Sequence, residues 1–168
     1  MYSPNSNKDL KSLDRKIDIN NIFTQNRLSL DDTVEGGQSL TLGGEYILKG
    51  KEAGNNIFKA GLASVLRDDE EINLPTKSTL NNKGSDFIGS LLFEPNKYLK
   101  FDYNFSMDSD FESSNYNLFK TNLSVNKFVT SFEFLQEDDE VGSESYLSNE
   151  TSYSFNDAYS IKYRTRRN

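Results

Sequence analysis

The 168-residue sequence contains no cysteine and no histidine. The absence of cysteine excludes disulfide and thiolate chemistry and leaves the redox compartment open. The absence of histidine removes the most frequent general base and the commonest metal ligand. Serine, aspartate and glutamate are plentiful, but the sequence offers no base to activate a serine, and its carboxylate pairs fall only in predicted loops. We therefore expect no enzymatic activity, no catalytic residue and no cofactor.

Long apolar runs are also missing. None approaches the roughly 18 residues of a membrane-spanning helix, which excludes a helical membrane protein, and the N-terminus lacks the apolar segment of a signal peptide. A hydrophobic content of 35% and a mean hydropathy of -0.71 would normally suggest disorder. However, aromatic residues make up 12% of the chain, and most of them fall at alternate positions. A membrane β-barrel has this composition because only one face of each strand is apolar.

Basic residues are fewer than acidic ones: the sequence has 19 Lys and Arg and 26 Asp and Glu. The resulting net charge of -7 argues against nucleic acid as a partner. Acidic clusters occur at Asp108, Asp110 and Glu112 and at residues 137–140. The central glycine and distant glutamate of a calcium-binding loop are absent from both. We interpret the clusters as solvated loops and predict no metal site. The alternative, that they hold divalent cations which bridge to phosphorylated lipid head groups, stays open.

What the sequence does contain is alternation of apolar and polar side chains along eight segments separated by turn signals. The clearest segment has apolar side chains at every second position from Leu99 to Met107. A helix is excluded there, since these side chains would encircle it. The predicted strands cover about residues 36–48, 55–67, 85–94, 99–107, 115–124, 127–136, 144–154 and 159–166.

The connections between these strands alternate in length. Those after the first, third, fifth and seventh strands are short, whereas residues 68–84, 108–114 and 137–143 form longer, more acidic loops. Outer-membrane barrels have brief periplasmic turns and longer external loops, and tilted strands of about 10 residues match the hydrocarbon thickness. A soluble β-sandwich needs no such asymmetry. We therefore predict an all-β fold, an antiparallel up-and-down meander of about eight strands that forms a curved segment of a transmembrane β-barrel.

Polar side chains that alternate with the apolar ones are predicted to line an aqueous lumen, because lipid rejects a mid-depth Arg or Lys by roughly 2–4 kcal/mol. For any single one of them, contact with water in the lumen is a better explanation than a specific binding site. The predicted lumen-facing residues are Lys100, Asp102, Asn104, Asn122, Glu133, Lys162, Arg164 and Arg166.

One stretch is distinctive beyond its alternation. Asn21-Ile22-Phe23 and Asn26-Arg27 precede Asp32-Thr33-Val34-Glu35-Gly36-Gly37, and Ser39-Leu40-Thr41-Leu42-Gly43 follows. This stretch resembles the LptD family of lipopolysaccharide-assembly outer-membrane proteins, also called OstA. Its members typically show a phenylalanine and an arginine in a loop, a D-R/T-V/I-E-x-G step and an L-T-L-G strand. Further segments, such as Arg67-Asp68 at the end of a strand, fit the same family, and the resemblance covers about residues 20–168.

The resemblance implies a large barrel in the cell outer membrane that passes lipopolysaccharide to the outer leaflet. The implied partners are lipopolysaccharide, outer-membrane lipid, a lipoprotein plug subunit and periplasmic bridge components, with no nucleic acid. On this hypothesis residues 1–20 are a polar loop remnant or disordered end, and residues 21–168 are a partial outer-membrane β-barrel domain, hence a fragment. The alternative is a complete small eight-stranded outer-membrane barrel or a soluble ligand-binding β-domain. Pairing of the first strand with the last would distinguish the closed barrel.

Overall fold

The computed structural model describes residues 2–3, 8–30, 35–50, 55–138 and 143–168. Several predicted features lie partly outside these residues: the N-terminal segment, the Asp32-to-Gly37 motif, the first turn and the last acidic loop. The described chain contains nine strands and one 3-10 helix, Thr76–Ser78. No helix in these ranges has the length and apolar character needed to cross a membrane.

The two-residue strand β1 (Tyr2–Ser3) precedes eight long strands. The long strands are β2 (Gly37–Lys49), β3 (Asn56–Arg67), β4 (Phe87–Asn96), β5 (Leu99–Met107), β6 (Ser114–Val125), β7 (Phe128–Glu137), β8 (Glu144–Ser154) and β9 (Ser160–Arg167). All nine lie in one sheet, in the order β1 to β9. The prediction of an all-β antiparallel up-and-down meander of about eight strands is confirmed, and the predicted bounds agree within two residues.

The two ends of this strand order do not meet. β1 and β9 stand at opposite ends, and the described sheet is not closed. A complete eight-stranded barrel requires its first long strand to pair with its last. The described strands therefore give no support to the closed small barrel that the sequence left as an alternative.

The registers of β6 to β9 determine which side chains share a face. Residues directly opposite one another on paired strands project to the same side of a sheet. Two polar rows cross all four strands on one side: Lys120, Glu133, Ser148 and Arg166, and then Asn122, Ser131, Glu150 and Arg164. On the other side a row joins Phe119, Phe134 and Leu147. The alternation seen in the sequence therefore becomes one polar and one largely apolar face.

The chain divides into two compact units. Unit 1 comprises Met1–Gly44, Gly61–Gly89 and Ser106–Ser113, and unit 2 comprises Glu45–Ala60, Ser90–Phe105 and Ser114–Asn168. Unit 1 contains an apolar core of Leu10, Ile17, Ile22, Leu28, Ala63, Val65, Leu74, Leu80 and Ile88. The predicted domain division at residue 20 stays a prediction, but residues 8–20 do contribute Leu10 and Ile17 to this core.

Candidate functional site

A groove of about 730 Å³ opens on the polar face of unit 2. Six of the eight predicted lumen-facing residues line it: Lys100, Asp102, Asn122, Glu133, Arg164 and Arg166. The other two contact residues of the groove. Asn104 Nδ2 donates a hydrogen bond to Asp102 Oδ1 over 2.5 Å, and Lys162 Nζ lies 2.8 Å from Glu150 Oε1. The structure thus brings the predicted residues together on one surface, although whether that surface faces a lumen stays a prediction.

The groove also contains polar side chains that were not among the predicted lumen residues, including Lys120, Ser131, Ser148 and Glu150. The alternation of the sequence was sufficient to find them. Lys120 alternates with Phe119 and Thr121 on β6, and Glu150 alternates with Asn149 and Thr151 on β8. The alternating pattern therefore predicts these four residues on the polar face as clearly as it predicts the eight lumen-facing residues.

The first polar row is joined by contacts between neighbouring strands. Lys120 Nζ lies 3.0 Å from Glu133 Oε2, and the Tyr146 hydroxyl donates to Glu133 Oε1. The guanidinium of Arg166 lies over the Tyr146 ring, 4.2 Å from its centroid. Ion pairs as exposed as these add little to stability. They do place cationic, anionic and aromatic side chains next to one another along the groove.

The second polar row is built around one carboxylate. Glu150 Oε2 lies 2.5 Å from Arg164 Nε, and its other oxygen pairs with Lys162. Across the whole groove the lining contains four cations, Lys100, Lys120, Arg164 and Arg166, and three carboxylates, Asp102, Glu133 and Glu150. A surplus of one positive charge in a chain of net charge -7 makes this surface more cationic than the protein as a whole.

The opposite face of unit 2 leaves large apolar side chains uncovered. Phe132, Leu147 and Tyr163 are between 44% and 61% exposed. Polar groups on this face satisfy one another: the hydroxyls of Thr130 and Thr151 lie 2.7 Å apart, and Asn149 Nδ2 donates to Thr130 Oγ1. Internal satisfaction of polar groups is what a surface in hydrocarbon requires, because lipid offers no hydrogen bonds.

Unit 1 contains a different polar feature, a buried ion cluster of Arg27, Glu35 and Arg67. The three side chains are 2–3% exposed. Arg27 Nη2 lies 3.0 Å from Glu35 Oε1, and Arg67 Nη1 donates to the same carboxylate oxygen. Burial lowers the pKa of the Arg27 guanidinium, whereas the neighbouring Glu35 carboxylate opposes that shift. One carboxylate is thus shared by two buried guanidinium groups.

Sequence patterns do not reveal this ion cluster. Its three residues stand out in the sequence only as parts of motifs that resemble a family. A physical signal was nevertheless present, because alternation places Arg67 on the same face of β3 as Ala63 and Val65, which are both buried. A cation at the end of an apolar row requires a buried anion, and Glu35 is the anion that the fold supplies.

In the described part of the chain, no group of three or more Asp or Glu side chains converges. Residues 139–140 of the second acidic stretch lie outside the described ranges, and its role stays a prediction. The groove is a surface suited to a polar ligand, since it presents cations and hydrogen-bonding groups side by side.

Comparison with known families gives one match of nearly full length. A family model described as LptD: LPS transport system D matches residues 2–164. The matched range includes the buried ion cluster, all of β1 to β8 and the groove residues up to Arg164. No curated protein matches the chain.

Proposed function

The chain belongs to the LptD family of lipopolysaccharide transport proteins, and we propose that it supplies barrel wall, lumen surface and external loops to a translocon that inserts lipopolysaccharide into the outer leaflet of the outer membrane. The observation on which this proposal rests is the contrast between the two faces of unit 2. One face has a charged groove, and the other exposes aromatic and aliphatic side chains. Residues 21–168 would form the barrel part of this assembly.

The groove suits the polar portion of lipopolysaccharide, which consists of sugars and phosphate groups. Arg and Lys are the side chains used to recognise phosphates, and Arg binds them in a bidentate manner. Arg164 and Arg166 occupy neighbouring positions of the polar face on β9, so a phosphate would meet two guanidinium groups. Asn122, Ser131 and Ser148 would offer neutral hydrogen-bonding groups to sugar hydroxyls.

The apolar face suits the acyl chains of the surrounding outer-membrane lipid. The long strands contain 8–13 residues, and tilted strands of about 9–11 residues cross a bilayer. A patch of exposed large apolar side chains is costly in water and favourable in hydrocarbon. The proposed partners are accordingly lipopolysaccharide, membrane lipid, a lipoprotein plug subunit and periplasmic bridge components, none of them nucleic acid.

Photo-crosslinking from two adjacent residues tests the proposal. Ser131 and Phe132 both border the groove, but their side chains alternate along β7, so a photoreactive side chain at 131 projects into the groove and one at 132 projects from the opposite face. In cells that are exporting lipopolysaccharide, we expect Ser131 to crosslink to it and to stop doing so when its supply from the inner membrane is blocked. Crosslinks of Phe132 to membrane lipid should not depend on that supply. The absence of a supply-dependent crosslink at Ser131 would refute the lumen assignment.

The orientation of the strands has its own test. Single cysteines at Asp110, in a long connection, and at Asn96, at a short turn, probe the two sides of the membrane. With an impermeant thiol reagent added to whole cells, Asp110→Cys should be labelled and Asn96→Cys should not. Labelling of Asn96→Cys alone would reverse the proposed orientation.

A further inference from the structure

The buried ion cluster of unit 1 connects three parts of the chain. Arg27 belongs to residues 8–30, Glu35 lies two positions before the first residue of β2, and Arg67 is the last residue of β3. Both arginines contact Glu35 Oε1. Among the described residues, these two guanidinium groups and one carboxylate carry a net charge of +1, and all three side chains are only 2–3% exposed. Such an arrangement depends on the anion that both arginines share.

The Glu35-Gly36-Gly37 sequence has the geometry that Arg67 requires. Glu35 supplies the carboxylate, and the Gly36 carbonyl accepts a hydrogen bond from Arg67 Nη2 over 2.6 Å. Gly37 adopts a φ of +82°, and a Cβ built there would lie 2.8 Å from Arg67 Nη2. The two glycines therefore provide an acceptor and the space for the guanidinium group.

Arg27 attaches residues 8–30 to β2. Its Nη1 donates to Thr41 Oγ1 over 3.2 Å, and its Nη2 donates to Ser39 Oγ over 2.6 Å. Ser39 and Thr41 are alternate residues of β2 and so project from the same face. An ideal Cβ on Gly43, the next residue of that face, would lie 2.5 Å from the Ala63 Cβ of β3. Arg27 thus lies on the same side of β2 as Ala63.

The segment that Arg27 anchors also contributes to the apolar core. Ile22 and Leu28 are buried together with Ala63 and Val65 of β3. Further along the segment, the backbone nitrogen of Leu10 donates to the Asn73 carbonyl over 2.7 Å. Residues 8–30 therefore cover one face of β2 and β3, and we use the term cap for these residues.

We infer that Arg27, Glu35 and Arg67 form a charge-dependent lock, with Glu35 as the shared anion, that holds the cap on β2 and β3. This inference is independent of the lipopolysaccharide proposal, because it rests only on contacts within unit 1. Breaking a buried ion cluster by removing one partner is strongly destabilising, whereas replacing the whole cluster with apolar residues is frequently neutral. The lock keeps this strand surface occupied by the chain itself and inaccessible to any substrate.

The test measures access to a residue beneath the cap in the purified full-length protein. Ala63 is 2% exposed, and the 168-residue sequence contains no cysteine, so Ala63→Cys introduces a thiol where this sequence has none. Labelling of the protein without Ala63→Cys is subtracted as background. We expect the Glu35→Gln substitution to raise the rate of maleimide labelling at position 63 by at least about tenfold, because two buried guanidinium groups then lose the carboxylate that they share. A thiol at the exposed Asp110 should react equally in both backgrounds.

Two further variants distinguish an unbalanced charge in the lock from a general loss of stability. Glu45→Gln removes a carboxylate that pairs with Lys59 at 2.7 Å but is 41% exposed, and it should leave labelling unchanged. The triple variant Arg27→Met, Glu35→Leu, Arg67→Met removes every charge of the lock and should keep position 63 protected.

The lock is refuted if position 63 stays protected in Glu35→Gln, or if the triple variant is labelled as fast as Glu35→Gln. Where Glu35→Gln does not fold, the triple variant decides. A folded triple variant with a protected thiol supports the lock, and a triple variant that also fails to fold overturns it.

Discussion

Gly43 is a residue at which β2 approaches its neighbours closely within unit 1. An ideal Cβ at this position would lie 2.5 Å from Ala63 Cβ, 2.7 Å from Phe23 Cζ and 2.8 Å from the Leu62 carbonyl oxygen. Two of these three atoms belong to the backbone or to a Cβ, which do not move by rotation of a side chain. By contrast, a Cβ at Gly44 would have no neighbour within 4 Å. Two adjacent glycines of one strand therefore have different roles.

We predict that Gly43→Ala lowers the free energy of unfolding by about 1–3 kcal/mol, the usual cost of overpacking. Gly44→Ala, its matched control, should be neutral or slightly stabilising, because glycine in a strand interior is unfavourable. Denaturant titration of the protein reconstituted in lipid bilayers measures both. Equal effects of the two substitutions would contradict the close approach at Gly43.

At the scale of elements, the connection between β6 and β7 shows how a short turn sets a register. Asn126 adopts a φ of +53°, while the two strands pair without interruption from Val125 and Phe128 onwards. Asparagine tolerates this left-handed conformation better than other side-chain-bearing residues. The sequence predicted a turn at Val125-Asn126, and its observed conformation accounts for the asparagine.

We predict that Asn126→Val destabilises the protein by about 1–2 kcal/mol, the cost of a left-handed conformation for an ordinary residue. Asn126→Gly should be tolerated, since glycine adopts positive φ freely. Lys127→Val, in the same turn, is the control for loss of a polar side chain. Unfolding in denaturant gives the comparison, and a Lys127→Val variant as unstable as Asn126→Val would rule out the conformational explanation.

At the scale of the whole molecule, the contrast between the two faces of the sheet has a direct consequence for membrane assembly. Ser131 and Phe132 are neighbours on β7 but project to opposite faces. An arginine at position 132 would enter hydrocarbon under the proposed arrangement, at a cost of roughly 2–4 kcal/mol near mid-depth. An arginine at position 131 would enter the groove, which already contains Arg164 and Arg166.

We accordingly predict that Phe132→Arg reduces the amount of folded protein in the outer membrane, whereas Ser131→Arg leaves it nearly unchanged. The two substitutions introduce the same side chain at adjacent positions, so they differ mainly in the face of the sheet from which the arginine projects. Quantification of the folded protein in outer-membrane fractions measures the effect. A larger loss for Ser131→Arg would reverse the assignment of the faces.

The sequence was most informative where neighbouring residues alone decide the structure. Alternation along Leu99 to Met107 predicted β5, and the same pattern predicted the other long strands within two residues. The candidate groove was predictable to a similar extent, because residues two apart on a strand necessarily share a face. The ion pairs within the groove could not be predicted from the sequence in this way, because Glu133 lies beside Lys120 only through the register of β6 with β7.

By itself, then, the sequence determined the strands, their up-and-down order and the separation of polar from apolar faces, because each follows from a local period of two. The tertiary structure decided which distant residues meet. Arg27 and Arg67 are 40 positions apart in the chain, and only the fold brings both to the Glu35 carboxylate. It also buried Leu10 and Ile17 of a segment that looks polar and aperiodic. Contacts of this kind depend on how chain segments pack together, which no local pattern encodes.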